Sequence, residues 1–204
     1  TMSELHPKIK RVQDFYNEDV EREWTRMDRH PVEFAVTKHI LNQYLPEPPG
    51  KLLDLGGGPG RYALELTRQG YQVTLADLSQ ANIEFAEEKS KELDLPLAKT
   101  FVHDATQPLP IEENNSFDAV LLMGPLYHLT THELRLAAVK NALHVLKPGG
   151  YLFVAFITLM GALRAIITND PNQLEIEWET MKEGLNGADL GFTEAYFAQV
   201  PEIE

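Results

Sequence analysis

The 204-residue chain contains no cysteine. That excludes a disulfide framework, a thiolate nucleophile and any cysteine-ligated zinc site. Positive charge is also scarce, with 18 lysines and arginines against 31 aspartates and glutamates and a net charge of -13. The long-range field of such a molecule repels polyanions, which argues against nucleic acid or an anionic membrane as the main partner. No apolar run approaches the roughly 20 residues that span a bilayer. Thr1-Met2-Ser3-Glu4 offers neither a basic nor an apolar leader region, so no signal peptide and a cytoplasmic location are expected. His6, His39, His103, His132 and His144 show no metal-ligand spacing, and no metal is expected. Internal repeats and low-complexity tracts are also missing.

What is present alternates. Residues 8–30 read as one polar amphipathic helix, because Val12, Tyr16, Val20 and Trp24 recur every fourth residue. Pro31 opens a second helix through about Tyr44, and Pro46-Glu47-Pro48-Pro49-Gly50 ends it. Residues 1–49 are therefore expected to form a helical cap. Beyond it, strands are expected at Lys51–Leu55, Gln72–Ala76, Ala98–Val102, Phe117–Met123 and Tyr151–Ile157. Helices fall between them: Arg61–Gln69, one capped by Ser79 and running to about Leu93, and one running to about Leu146 from a capping box at Thr130–Glu133. Asp118 is read as ending a loop with no catalytic role, and Lys147–Gly150 as a tight turn before the last strand. Alternation at this spacing implies a parallel sheet with helices on both faces over residues 50–157. The tail, 158–204, reads as a helical insert, with helices near 159–167 and 171–184 and no convincing strand pair.

The most informative segment is the strand-to-helix turn Asp54-Leu55-Gly56-Gly57-Gly58-Pro59-Gly60-Arg61. Glycines suit places where backbone approaches a ligand, and such a turn in an α/β sheet cradles nucleotide-like ligands. The strict dinucleotide fingerprint fails when counted from Gly56, since Arg61 stands where its third glycine belongs. Counted from Gly58, Ala63 completes a variant, in an awkward register with Pro59. Asp54 beside the turn suits a cationic ligand better than a pyrophosphate. Asp77 ends the second strand, 21 residues after Gly56, where a carboxylate can accept both hydroxyls of a ribose. Asp104 follows the third strand, where it can take an adenine amino group.

Together these segments resemble the class I S-adenosylmethionine-dependent methyltransferases, in particular the small-molecule branch of the ubiquinone/menaquinone-biosynthesis type. The resemblance covers about residues 50–157 and rests on five motifs in order: Leu52–Gly60, Asp77-Leu78-Ser79, Asp104-Ala105, Phe117–Val120 and Leu143–Tyr151. It implies a Rossmann-like, mostly parallel sheet of order 3-2-1-4-5, and S-adenosylmethionine as cofactor. It also implies that Gly56 and Gly58 line the methionine part, Asp77 holds the ribose, and Leu78 packs on the adenine. Asp104 and Ala105 would meet the adenine edge, and Met123 would lie beside the sulfonium. The family's sheet has two further strands. Their absence here implies a truncated or incomplete chain whose 158–190 segment acts as a lid and whose fifth strand, Tyr151–Ile157, is an open sheet edge or is covered by a neighbouring chain; a homodimer through that edge or the lid is the expected partner.

Residues after the fourth strand face the methyl group in this fold. Gly124-Pro125-Leu126-Tyr127 stands where amine methyltransferases carry an amide or acid followed by Pro-Pro, which argues against nucleobase methylation. His128, of the residue type whose ordinary titration lies near neutrality, and Tyr127 are the candidate catalytic residues. Tyr16 and Trp24 are candidate substrate contacts from the cap, and Arg26, Arg29 and His30 are candidates for an anionic substrate. The expected function is methyl transfer to the O, N or C atom of a small molecule. A nicotinamide-dependent oxidoreductase and a non-catalytic S-adenosylmethionine-binding module are the alternatives.

Overall fold

A computed structural model describes residues 6–110 and 115–169, with residues 172, 193 and 195–198. The cap is built from α1 (Pro7–Glu18), α2 (Val20–Trp24), α3 (Arg26–Arg29) and α4 (Pro31–Tyr44). The core follows as β1 (Lys51–Leu55), α5 (Arg61–Arg68), β2 (Gln72–Asp77), α6 (Gln80–Glu92) and β3 (Lys99–Val102). It continues through β4 (Phe117–Leu122), a 3-10 turn (Pro125–Tyr127), α7 (His132–Val145), β5 (Leu146–Val154) and α8 (Leu159–Asn169).

The five strands pair in parallel in the order β3-β2-β1-β4-β5, as expected. Successive side chains of a strand point to opposite faces, so each face gathers its own core. On one face Leu53, Leu55, Val120 and Leu122 pack with Ala138, Ala142 and Val145 of α7. On the other, Leu52, Val73, Leu75 and Leu121 pack with Ala63 and Leu66 of α5, Ile83 and Ala86 of α6, and Leu41 of α4. Strands buried on both faces are rich in apolar residues, and β1 and β4 are apolar but for Lys51 and Asp54 in the first and Asp118 in the second. A fully buried leucine such as Leu52 contributes roughly 1.5–3 kcal/mol.

The structure corrects several local expectations. The single helix over 8–30 breaks at Asp19, whose backbone leaves the helical region (φ -147°, ψ 74°) and whose carboxylate accepts the Arg22 N–H at 3.0 Å. A short acid caps a helix start better than it continues one, so Val20 and Trp24 leave the face that holds Val12 and Tyr16. The cap of α7 is Thr131, which accepts the Leu134 N–H at 3.4 Å, one residue later than expected. Asp118 lies within β4 and does not end a loop; its carboxylate accepts the Lys51 N–H at 2.8 Å and the Lys147 ammonium at 2.6 Å. The turn at Lys147–Gly150 is absorbed into β5 as an irregularity between the Phe117 and Ala119 pairings, and β5 ends at Val154, not at Ile157.

Among the described residues β5 is the outer strand of the sheet, and beyond its end a single bridge joins Thr158 and Ala198. The helix expected near 159–167 is α8, whereas the expected helix over 171–184 lies outside the described residues but for Asn172.

Candidate active site

The C-terminal ends of the strands and the underside of the cap enclose a cleft of about 580 Å³. The glycine turn after β1 forms its floor. Gly56 has φ +79°, and a Cβ there would stand 2.4 Å from Pro125 Cγ, so only glycine lets the loops after β1 and β4 meet. A Cβ on Gly57 would stand 2.4 Å from the Asp54 carboxylate, which lies directly beneath the turn.

Asp54 is 2% exposed, and its Oδ2 is buried without a hydrogen-bond partner among the described residues. Burial, reinforced by the neighbouring Asp77 carboxylate, pushes its pKa up to about 7. Asp77 is also buried, and burial raises its pKa despite three stabilising hydrogen bonds. Its Oδ2 accepts the Gly58 N–H at 2.8 Å, and its Oδ1 accepts the Ser79 N–H at 2.9 Å and Asn82 Nδ2 at 3.0 Å. Three of roughly four acceptor positions on the carboxylate are therefore occupied. A ligand diol at Asp77 must compete with the Gly58 N–H.

Asp104, after β3, accepts both the N–H and the hydroxyl of Thr106, at 2.9 and 2.8 Å. Leu78, Ala105 and Met123 contribute apolar wall. The cap closes over this end: Gln13 Nε2 donates to the Leu78 carbonyl at 2.9 Å, and Ser79 Oγ lies 2.6 Å from Asn17 Oδ1.

At the far end, the loop after β4 presents Tyr127 and His128. The Tyr16 hydroxyl lies 2.8 Å from His128 Nε2, and the two rings meet edge to face at 5.3 Å. Burial, with Tyr127 next in effect, raises the Tyr16 pKa well above that of a free phenol, so Tyr16 is protonated at neutral pH. Burial likewise pushes Tyr127 up to about 12.

Of the fifteen residues singled out from the sequence for site roles, twelve line this cleft, and Trp24, Arg29 and His30 do not. The break at Asp19 turns Trp24 away, and its ring packs on Phe85 at 5.5 Å and under the Arg61 guanidinium at 4.7 Å. Of Arg26, Arg29 and His30, only Arg26 reaches the cleft. Arg26 is not a free anion site, since its Nε binds Glu23 at 2.8 Å and its Nη1 binds both Glu33 oxygens at 2.9 Å. Glu23, Glu33, Tyr62 and Asn82 join the site without having been singled out. The i,i+3 spacing of Glu23 and Arg26 was the available signal, and it reads equally well as an ordinary surface pair.

A family model described as a methyltransferase domain matches residues 52–150, which carry the glycine turn, Asp77, Asp104 and the loop after β4. The matched core is similar to the class I S-adenosylmethionine-dependent methyltransferases. The chain is 33% identical over 107 residues to the ubiquinone/menaquinone biosynthesis C-methyltransferase of Shewanella pealeana, which is 51% of this chain and 41% of that relative. It is 28% identical over 113 residues to the tRNA 5-carboxymethoxyuridine methyltransferase of Escherichia coli, covering 55% of this chain and 42% of that one. A solved SAM-dependent methyltransferase from Methanosarcina mazei superposes with a TM-score of 0.57 at 27% identity, over 78% of this chain and 74% of that one. The chain thus spans well under two thirds of these two curated relatives.

S-adenosylmethionine is the cofactor of this methyltransferase core, and the residues present fit it. A buried carboxylate with an unpartnered oxygen suits a cationic ligand. The glycine floor leaves room that any side chain would fill. Among the described residues, no group of three or more metal-ligating side chains is gathered, and no helix is long and apolar enough to cross a membrane.

Proposed function

We propose that this chain transfers a methyl group from S-adenosylmethionine to the oxygen, nitrogen or carbon of a small-molecule acceptor. The observation that carries the reading is a single cleft with two unlike ends, the buried carboxylates and glycine floor at one and the Tyr16–His128 contact at the other. The bound cofactor supplies an electrophilic methyl group, and the protein supplies alignment and exclusion of water.

In this reading Asp77 accepts the ribose hydroxyls, Gly56 and Gly58 line the methionine part, and Asp54 faces its ammonium group. Leu78, Asp104 and Ala105 surround the adenine, and Met123 lies beside the sulfonium. Tyr127 and the Tyr16–His128 pair face the acceptor. His128 Nε2 is already engaged by the Tyr16 hydroxyl at 2.8 Å, so a proton leaving the acceptor passes to the pair and not to a lone imidazole. The net charge of -13 supports a small molecule over a nucleic acid, although one relative is named for tRNA. The position of β5 as outer strand among the described residues supports a homodimer, which light scattering tests.

Calorimetric titration with S-adenosylmethionine, S-adenosylhomocysteine and NAD checks the cofactor. Binding of the first two and not of NAD is expected, and binding of NAD alone overturns the reading. Turnover across a panel of amine, phenol and carboxylic acid acceptors then separates a methyltransferase from a binding module.

A further inference from the structure

Within the tail, Ala195–Ala198 is buried and lies against both loops that frame the acceptor end of the cleft. The Tyr196 N–H donates to the Tyr127 carbonyl at 2.7 Å. The Ala198 N–H donates to the Ile157 carbonyl at 2.9 Å, and the Ala198 carbonyl accepts the Leu159 N–H at 3.0 Å. Ala195 and Phe197 pack on Ala162 and Ile166 of α8. One short segment therefore ties the loop after β4 to the chain after β5.

Arg135, on α7, acts on the same loop from the other side. Its Nη1 donates to the Leu129 carbonyl at 2.7 Å, and its guanidinium lies 3.5 Å from the centroid of the Tyr196 ring. The carbonyls on either side of His128, those of Tyr127 and Leu129, are thus held by Tyr196 and Arg135, and these two residues stack on each other. The His128 N–H is held in turn by the Pro125 carbonyl at 2.9 Å.

We infer that Arg135 and Tyr196 are positioning residues that clasp the Tyr127–Leu129 loop and so fix the His128 imidazole against Tyr16. The inference rests on the proposed role of His128, but the clasp is measurable without any acceptor. Arginine suits the task because its planar group stacks and donates at once, which lysine cannot reproduce.

The test uses the 204-residue chain saturated with S-adenosylhomocysteine, and Arg135→Ala, Arg135→Lys, Tyr196→Leu and Tyr196→Phe variants. Amide exchange of Tyr196 and His128 is expected to speed by about tenfold or more in Arg135→Ala, Arg135→Lys and Tyr196→Leu, a factor in the range of a partly desolvated cation–π contact. Amides of β1 and β2 are expected to keep their protection. With labelled histidine, the His128 Cε1–H signal is expected to shift and its titration midpoint to move in those three variants. Tyr196→Phe, which keeps the ring and the main-chain donor, is expected to match the parent in both readouts. S-adenosylhomocysteine affinity is expected to stay within about twofold throughout. Parent-like exchange and parent-like His128 titration in Arg135→Lys and Tyr196→Leu overturn the inference. So does a change that Tyr196→Phe fails to rescue. If Arg135→Ala does not fold, the lysine and leucine variants still decide. Failure of the catalytic reading alone leaves a different mark, a normal clasp with no turnover in any acceptor assay.

Discussion

The Tyr16 hydroxyl lies 2.8 Å from His128 Nε2, joining the first helix of the cap to the loop after the fourth strand across 112 residues of sequence. The contact does two things. It seats α1 over the cofactor end of the cleft, where Gln13 and Asn17 reach Leu78 and Ser79. It also sets which protons His128 can move, because one ring nitrogen is committed to a phenol that burial keeps protonated.

Tyr16→Phe removes the hydroxyl and keeps the ring. Turnover is expected to fall by about 10²–10⁴, the range of a lost acid–base group, with stability reduced by about 1 kcal/mol for the hydrogen bond. His128→Gln is expected to fall similarly, and the double variant to fall no further than either alone, since both remove one unit. Turnover of the three variants and of the parent under one set of conditions checks this, and additive losses sink the idea of a pair.

Asp77→Ala is expected to weaken S-adenosylmethionine binding by at least about tenfold, since a charge-assisted hydrogen bond is worth roughly 1.5–3 kcal/mol. The same change frees the N–H groups of Gly58 and Ser79 and the amide of Asn82. A loss of thermal stability should accompany the loss of affinity. Calorimetry and a melting curve on one preparation measure both, and parent-like affinity removes Asp77 from the ribose.

Gly57→Ala places a methyl group 2.4 Å from the Asp54 carboxylate and 2.6 Å from Leu75 Cδ1. Both neighbours are buried and anchored in strands, so the turn must lift. Overpacking of this kind costs roughly 1–3 kcal/mol. The variant is expected to fold, to melt several degrees lower and to lose cofactor binding. Unchanged calorimetric affinity would mean that the floor of the cleft is wrongly placed.

The sheet and its order were legible because β1, β2 and β4 are mostly apolar and helices follow them, two with start signals of their own: Ser79 accepts the Asn82 N–H at 3.1 Å, and Thr131 caps α7. The cofactor end was legible for a related reason. Its residues stand at strand ends, where chain position alone fixes location in space. The cap was legible only in part. Four-residue spacing put Trp24 on the Tyr16 face, but one aspartate can end a helix and restart it, and Asp19 does so. The ion pairs of Arg26 with Glu23 and Glu33 and the Tyr16–His128 contact depend on how α1–α4 fold over the sheet. No local pattern in the chain encodes those distances.

The buried Asp54 makes a pH-dependent prediction whose sign can be worked out. Its carboxyl has a folded-state pKa of about 7 against an ordinary 3.8. Between those values the unfolded chain has released the proton and the folded protein retains it, so the folded state binds more protons and stability falls as pH rises. Below about pH 4 both states are protonated and the effect vanishes. Above about pH 7 both are ionised and the full penalty applies, about 4 kcal/mol for a shift of about three units. Asp54→Asn removes this titration while keeping the shape. The variant should match the parent near pH 4 and become progressively more stable than it up to pH 7, with a constant gap beyond. Melting curves of the ligand-free proteins from pH 4 to 8 measure the gap. The same carboxylate ties cofactor binding to a proton. An ammonium group placed against Asp54 favours its ionised form. Titration with S-adenosylhomocysteine at pH 6.5 should therefore release protons, seen as a binding enthalpy that changes with the ionisation enthalpy of the buffer. Asp54→Asn should lose that buffer dependence, and a parent without it would place the ammonium elsewhere.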